Sequence, residues 1–376
     1  GRSIQPTNIK RAELDPEVAA LVRPPVERDR IGEGGRNTLS GGQSLIARSL
    51  AAFIREGGTV LTDHRVTGYL TDGDRVTGVA AETEQGVVEI RGTRGVVAAA
   101  GGFEGNAKLR AEYAVPGSSE ASMAPRGTNA GEAIEAGLEI GAAVDHMNQG
   151  WFCPGLEQPD GGGSFTLGFR GGLMVDQSGN RYANECLPYD RFGREMAKGD
   201  NRIPSYFIFD SREGGRLPAI AMPEGDPTEH LATGTWIKAD TIKDLAEQLG
   251  AADLEATVTR FNGFAESGVD EDFGRGADEY DTFFAPQPLV PINVAPFYAA
   301  RFVLSDLGTK GGLATDERAR VLRPDGSVIT GLYATGNSSA SMFGPVYPGP
   351  GAPLGSAMVF GSLAVQDILE IEERTK

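Results

Sequence analysis

The residues of this chain best arranged for chemistry lie near its C-terminus. Gly331-Leu-Tyr-Ala-Thr-Gly336-Asn337 is followed by Gly344-Pro-Val-Tyr347-Pro-Gly349-Pro-Gly351-Ala-Pro-Leu354-Gly355-Ser-Ala-Met-Val-Phe-Gly361. In physical terms this is a strand, a glycine turn, a Gly/Pro loop and then a helix. The loop delivers backbone N–H groups and the positive end of a helix to one point. Such a point stabilises negative charge, for instance on the pyrimidine side of a reduced flavin. Glycines at 349, 351 and 355 let a ring approach the backbone closely.

The elements needed to position this segment are legible upstream. Residues 1–35 are rich in proline and charge and read as an irregular arm. Leu39-Ser-Gly-Gly-Gln43 precedes a helix over Ser44–Glu56, with Leu45, Ile46, Leu50, Phe53 and Ile54 at helical spacing and Gly57-Gly58 as its stop. Four short strands are expected next, Thr59–Thr62, Arg65–Leu70, Arg75–Glu82 and Val87–Arg91, separated by turns such as Asp72-Gly73-Asp74. This β-meander feeds a strand over Gly95–Ala100, fully apolar from Val96 on, that stops at Gly101-Gly102-Phe103. Helices over Asn106–Tyr113 and Gly131–Ala143 follow. From Asp145 to Pro296 the texture changes: Trp151, Phe152, Phe165 and Phe169 read as lying in Gly-rich loops, and a two-part helix runs Thr241–Phe264. After Ala299 the strand and helix pattern returns, with strands at Arg320–Leu322 and Gly331–Thr335 and a terminal helix over Gly355–Glu372. The pattern is that of a domain split in sequence around an insertion.

Composition excludes several functions. A formal charge of −17 argues against a nucleic-acid partner, which requires a basic stripe, and disfavours an anionic membrane surface. The 53 glycines, about twice the average share, come without a collagen period or a Gly/Ser tract and so mark tight turns and close backbone approaches. No apolar run reads as long enough for a membrane span. Cys153 and Cys186 are too far apart for a metal knuckle and point to a reducing cytoplasm, with membrane association as the alternative. His64, His146 and His230 have no ligand spacing, so no metal site is expected.

Tyr347-Pro-Gly-Pro-Gly351, with Thr309-Lys-Gly-Gly-Leu313 ahead of it and Gly336-Asn337 between, resembles the 3-ketosteroid Δ1-dehydrogenases of the FAD-dependent fumarate reductase/succinate dehydrogenase flavoprotein superfamily. Ser40-Gly-Gly-Gln-Ser-Leu, Ala98-Ala-Ala-Gly-Gly-Phe103, Asn184-Glu-Cys-Leu-Pro-Tyr189 and Arg260-Phe-Asn-Gly-Phe264 fall in the expected order, so the likeness covers nearly the whole chain. The C-terminal motif is specific; Ala-Gly-Gly-Phe is generic to the superfamily.

The resemblance implies an α/β fold with an α+β insertion. A discontinuous Rossmann-like FAD-binding domain (1–144 and 299–376) would hold an inserted catalytic and substrate domain (145–298). It implies FAD as cofactor, with contacts from Val66, Ala100, Gly101, Gly102, Glu132, Gly336, Asn337, Ala352, Pro353 and Leu354. Val66 would serve the adenine. Glu132 and Ala133 stand where the superfamily usually has Asp and Gly. By the same resemblance Tyr189 takes a proton from the steroid C2, Tyr347 and the Gly351 N–H grip the C3 carbonyl oxygen, and the C1 hydride passes to flavin N5. The C2 proton is acidic only if the developing enolate is stabilised, and two donors aimed at its oxygen do that. A tyrosine base is expected to have a depressed pKa, since the free phenol titrates near 10. Phe165, Phe169 and Trp151 are candidate apolar walls for a 3-ketosteroid substrate.

One part of the superfamily pattern is not in these residues: the opening strand, Gly-x-Gly-x-x-Gly turn and helix that hold the FAD pyrophosphate. Gly32-Glu-Gly-Gly is wrongly placed and lacks the preceding apolar strand. A separate N-terminal polypeptide is therefore a candidate partner, and the electron acceptor is undefined. Two other readings compete. One is a relative within the superfamily, either a Δ4-(5α)- or cyclic-ketone dehydrogenase, or a reductase of unsaturated acids, where an arginine is expected in place of Tyr347. The other is a non-catalytic fragment, or a subunit that only completes a partner's fold.

Overall fold

The computed structural model describes residues 9–22, 38–39, 41–222 and 225–375. They divide into two compact units, one ending at His64 and the other starting at Arg65.

In the first unit β1 (Ile9–Lys10) pairs antiparallel with β2 (Thr38–Leu39). Pro16 opens α1 (Pro16–Leu21) at the position where a missing N–H costs nothing. The Arg11 guanidinium donates to the Ala19 and Val22 carbonyls, both at 2.8 Å, and closes the other end of that helix. α2 (Gly41–Arg55) packs on it through a cluster of Leu14, Val18, Leu39 and Ala47. The stretch read as an irregular arm is thus ordered over 9–22, because Leu14 and Val18 have an apolar face to bury against; Gly32 and its neighbours lie outside the described residues. The strand expected at Thr59–Thr62 does not form: Val60 and Leu61 are exposed and, among the described residues, no strand pairs with them. A strand of four residues has little stability without neighbours.

The second unit begins with the expected meander, β3 (Arg65–Asp72), β4 (Arg75–Thr83) and β5 (Gly86–Arg91), followed by β6 (Val96–Ala98). α3 (Ala107–Glu112) is capped by Asn106, whose side chain accepts from the Leu109 N–H, and α4 (Glu132–Glu139) starts at Gly131. Then come β7 (Val144–Asp145), β8 (Gly150–Glu157), β9 (Gly163–Leu167), β10 (Leu173–Val175), α5 (Tyr189–Met196), β11 (Ser205–Asp210) and β12 (Ile220–Met222). α6 (Pro227–Thr233), β13 (Trp236–Ala239), α7 (Ile242–Leu249) and α8 (Leu254–Ser267) lead to β14 (Phe297–Thr309). β15 (Gly312–Leu313), β16 (Arg320–Leu322), β17 (Val328–Ala334) and α9 (Ala352–Thr375) complete the chain.

Two large sheets organise this unit. In the first, β17 pairs parallel with β6 and with β4, and β16 lies antiparallel on β17. The second is antiparallel, in the order β10-β11-β14-β8-β9-β12, with β13 also on β14. Its core gathers Phe152, Phe207, Phe209, Trp236 and Phe302. Trp151, Phe152 and Phe165 therefore lie in strands and not, as the sequence suggested, in Gly-rich loops. The glycines there serve close packing: a Cβ at Gly155 would meet Ser305 Cβ at 2.7 Å, and one at Gly163 would meet the Ala121 carbonyl oxygen at 2.7 Å.

α9 starts at Ala352, three residues before the expected Gly355, since Pro353 fits the first helical turn. Contrary to the sequence reading, Ala352–Glu370 is long and apolar enough, by length and composition, to cross a membrane. Its scattered small residues hid this from a search for uninterrupted apolar runs. The helix is tied to the rest of the unit by Thr335 Oγ1 donating to the Ala357 carbonyl (2.7 Å) and Tyr333 donating to Asp367 (3.0 Å).

Candidate active site

The site is built at the carboxyl ends of the parallel pair β6 and β17, where ligands of open α/β sheets bind. The Thr335 N–H donates to the Ala98 carbonyl at 2.9 Å, and Ser338 Oγ to the Gly101 carbonyl at 2.9 Å, so both strand ends turn together. Gly101 takes φ +86° and Gly336 φ +63°, conformations that favour glycine. A Cβ at Gly102 would fall 2.2 Å from Thr309 Oγ1 and 2.5 Å from Glu104 Oε2, so nothing larger fits. Thr309 Oγ1 in turn accepts from the Phe103 N–H at 2.9 Å.

Sequence reasoning missed two residues here. Glu104 is buried, accepts from the Asn129 side chain at 2.5 Å and from the Thr309 N–H at 3.2 Å. Asn129 (φ +52°) faces Gly101: a Cβ at Gly101 would lie 2.9 Å from its Oδ1. The available signal was Asn129 inside the Gly127–Ala133 segment, where attention went to Glu132. Glu132 instead opens α4 and lies 3.6 Å from Arg65 on β3. It is therefore a neighbour of the Val66 strand. Val66 follows Arg65 on β3 and lies opposite Ala81 on β4.

The loop from Gly344 to Gly351 then leads into α9. Gly349 (φ +140°) and Gly351 (φ +91°) would each direct a Cβ into open space. Among the described residues no main-chain acceptor takes the N–H of Gly351 or Leu354. Free donors at a helix start, small residues on the opposing strand ends and open space above Gly351 form a cradle that fits a flat, electron-rich ring such as a flavin. Ala352, Pro353 and Leu354 supply the first turn of that helix.

Tyr347, in this loop, pairs with a second tyrosine. Tyr189 is the first residue of α5, set there by Pro188, and is buried. Its hydroxyl lies 2.5 Å from that of half-buried Tyr347; either oxygen can donate. Phe165 meets the Tyr189 ring edge-on at 4.9 Å between centroids. Trp151 meets Tyr347 edge-on at 5.3 Å and donates through Nε1 to Asn337 Oδ1 at 3.1 Å. One continuous group thus joins Gly102, Asn337, Trp151, Tyr347, Tyr189 and Phe165. Phe169 makes no ring contact in this group: after the turn at Gly168 (φ +64°) it packs against Phe207 and Phe302, and it lines a small cavity together with Tyr189, Tyr280 and Phe284.

The electrostatics correct one expectation. Burial pushes the Tyr189 phenol well above its ordinary value, and the hydrogen bond with Tyr347 pushes it further. Burial also raises Tyr347. The depressed pKa expected of a tyrosine base is absent from the chain as it stands, chiefly because the phenol is buried and secondarily because its partner is a second phenol.

The turn ahead of Tyr189 is held by buried ions. Glu185 accepts from Arg181 (2.8 Å) and Arg275 (3.1 Å), and Arg181 also binds Asp270 (2.9 Å). Burial alone would raise the Glu185 carboxyl, but the two guanidinium groups hold it below its ordinary value. Asn184 donates to Asp281 at 2.9 Å and accepts from the Cys186 N–H at 2.8 Å, fixing the backbone three residues before the tyrosine.

Comparison with known proteins places these features in a family. Residues 27–354 match the model of the FAD binding domain family. The chain is 39% identical over 363 residues to a 3-oxosteroid 1-dehydrogenase of Mycolicibacterium smegmatis, covering 89% of this chain and 63% of that protein. It is 35% identical over 401 residues to a 3-oxosteroid 1-dehydrogenase of Rhodococcus opacus, covering 98% of this chain and 74% of that protein. Among solved structures it is similar to the 3-ketosteroid Δ1-dehydrogenase of Sterolibacterium denitrificans in complex with 1,4-androstadiene-3,17-dione, with a TM-score of 0.81 and 31% identity over 89% of this chain and 64% of that one. The chain thus spans about two thirds of the length of the proteins it resembles. With the strand-end glycines, the cradle and the matched residues in agreement, the chain belongs to the FAD-binding flavoproteins, in their 3-oxosteroid 1-dehydrogenase branch.

Proposed function

We propose that this chain carries the catalytic and flavin-contacting parts of an oxidoreductase that introduces a 1,2 double bond into a 3-ketosteroid. The observation that carries the reading is the 2.5 Å contact between the Tyr189 and Tyr347 hydroxyls, with Tyr347 in a loop that runs on to Gly351, whose N–H has no main-chain acceptor among the described residues. A ketone whose C3 oxygen accepts from Tyr347 and Gly351 presents its C2 proton to the neighbouring Tyr189. The two donors stabilise the enolate that forms as Tyr189 takes the proton, the work of an oxyanion hole. Phe165 offers an apolar wall beside Tyr189, and Trp151 backs Tyr347.

FAD, the cofactor of the family, supplies the acceptor for the hydride that leaves C1. Ala100, Gly101, Gly102, Gly336, Asn337, Ala352, Pro353 and Leu354 would hold its ring system, with Val66 and Glu132 toward the adenine. In this reading residues 1–144 and 299–376 serve the cofactor and 145–298 the substrate. The pyrophosphate donors are not among these 376 residues; an N-terminal segment, on this or on a separate polypeptide, would supply them and would find on α9 the exposed Leu354, Met358, Val365 and Leu369. Cys153 and Cys186 are buried free thiols, the latter pushed up to about 11 by burial, which suits the cytoplasm.

A carboxylate reductase is disfavoured because Tyr347, and not an arginine, faces Tyr189. A dehydrogenase of simpler cyclic ketones is the second reading, since the tyrosine pair would serve any ketone with an acidic α proton. Anaerobic mixing of the flavin-loaded protein with 4-androstene-3,17-dione tests the proposal: the flavin absorbance should bleach in a single turnover. Bleaching by a cyclohexanone and not by the steroid would move the assignment to the smaller ketones; bleaching by neither would remove it.

A further inference from the structure

We propose that Lys310 is the positioning residue that holds Tyr347 in place, a role that rests on the ketone-binding function given to Tyr347 above. Lys310 follows β14 in the Thr309-Lys-Gly-Gly-Leu313 segment, and its side chain is 1% exposed. A buried ammonium is costly unless its N–H groups are used. Among the described residues no carboxylate lies within 4.0 Å of it. Its Nζ donates instead to the carbonyls of Pro345 (3.1 Å) and Val346 (2.9 Å), the two residues immediately before Tyr347. The same Nζ stands 4.3 Å from the centre of the Trp151 ring, whose edge meets Tyr347. One cation therefore grips Tyr347 from the chain ahead of it and from the ring behind it.

The two ends of this strut differ in rigidity. The Lys310 N–H donates to the Gln149 carbonyl at 2.8 Å, and its carbonyl accepts from the Ser341 N–H at 2.9 Å. A Cβ at Gly311 would strike Met147 Cα at 2.4 Å, and one at Gly312 the Ser338 carbonyl oxygen at 2.7 Å, so this segment is packed backbone to backbone. The Tyr347 segment is not. Pro345, Pro348 and Pro350 have no N–H to give, and among the described residues no main-chain hydrogen bond involves Tyr347. The phenol needs sub-ångström placement on a ketone oxygen, and the lysine provides the tie that the loop's own backbone does not. The charged groups facing Lys310 are Asp190 and Arg194 on α5; burial, the larger influence, lowers the amine to about 8.

The test uses Lys310→Met, which keeps length and apolar contact but has no donor, and Lys310→Arg, which restores donors and charge. In stopped-flow reduction by 4-androstene-3,17-dione, Lys310→Met should lower the rate at saturating steroid by about a hundredfold, the cost of a displaced reacting group. Lys310→Arg should recover about a tenth or more of the parent rate. Adding Lys310→Met to Tyr347→Phe should slow the reaction no further, since both act through one hydroxyl. A Lys310→Met rate within about threefold of the parent, or full additivity with Tyr347→Phe, overturns the proposal. A second readout needs neither flavin nor steroid. Tryptophan emission of the full chain should titrate with a midpoint near pH 8 as the ammonium beside Trp151 loses its proton. That transition should vanish in Lys310→Met; its persistence would refute the Lys310–Trp151 contact. If the parent protein shows no steroid-driven reduction, the proposed function fails on its own, and the emission comparison still decides the contact.

Discussion

The hydroxyl of Tyr189, on the first residue of α5, lies 2.5 Å from the hydroxyl of Tyr347, which is 158 residues away in sequence. Two phenols this close do not titrate independently; the pair releases its first proton as a unit. Burial raises both, so the anionic pair is scarce at neutral pH until something else stabilises it. That relationship gives the site both its acid–base capacity and its main weakness.

Tyr347→Phe removes one donor to the enolate oxygen and leaves the ring, the Gly351 N–H and the loop. The loss of such a donor costs about 2.7–4 kcal/mol in the transition state, so flavin reduction should slow about a hundredfold to a thousandfold. The flavin spectrum should stay that of the parent. Single-turnover stopped flow reads the rate; one near that of the parent makes the tyrosine structural.

Tyr189→Phe removes the base itself and should slow reduction at least as much, with the steroid still bound. The parent should respond to pH in a definite direction. Because the folded phenol titrates above its ordinary value, the reactive anion grows with alkalinity, and the reduction rate should climb with pH up to the range near pH 8 where Lys310 loses its proton. A rate already flat at neutral pH would mean that bound substrate or flavin lowers the pair into the depressed range first expected of it.

Glu185→Gln leaves Arg181 and Arg275 buried with a weakened partner and should destabilise the chain by about 3–5 kcal/mol. The linkage has a sign. A carboxyl held below its ordinary value contributes its stability above about pH 4.3 and loses it as pH falls through the folded value. Thermal melts of the parent should therefore drop steeply in acid, and those of Glu185→Gln less steeply. Parallel melting curves would show that this ion cluster adds nothing to stability.

FAD should bind the isolated chain from Gly1 weakly or not at all, because the pyrophosphate donors of a Gly-x-Gly-x-x-Gly turn are not among its residues. Titration by flavin fluorescence checks this, and stoichiometric tight binding would contradict it. In the flavin-loaded protein the link should be noncovalent, so acid precipitation should leave the yellow colour in the supernatant. His146 faces Gly344, and its Nδ1 lies 3.4 Å from Asp145 Oδ1.

The sequence by itself determined the meander, the strand running to Gly101-Gly102 and the loop and helix around Tyr347-Pro-Gly-Pro-Gly351. Each is a local pattern, set by period, by proline's missing N–H and by glycine's freedom at positive φ. It also singled out Tyr189, Tyr347, Gly351 and Asn337 through a specific motif. Only the tertiary structure decided which of these meet. Sequence cannot tell a glycine used for a turn from one used for close approach, and so β8 and β9 were read as loops although Gly155 and Gly163 are packing glycines against Ser305 and Ala121. Nor can it say which ring each aromatic meets: Phe165 meets Tyr189 edge-on, while Phe169, four residues on, packs against Phe207. Asn129 replaced Glu132 beside Gly101 because the backbone turns at Asn129 before α4 begins. The phenol pair, the Lys310 strut and the ion cluster at Glu185 are contacts between distant segments, and no local rule encodes a distance that the packing of two sheets sets.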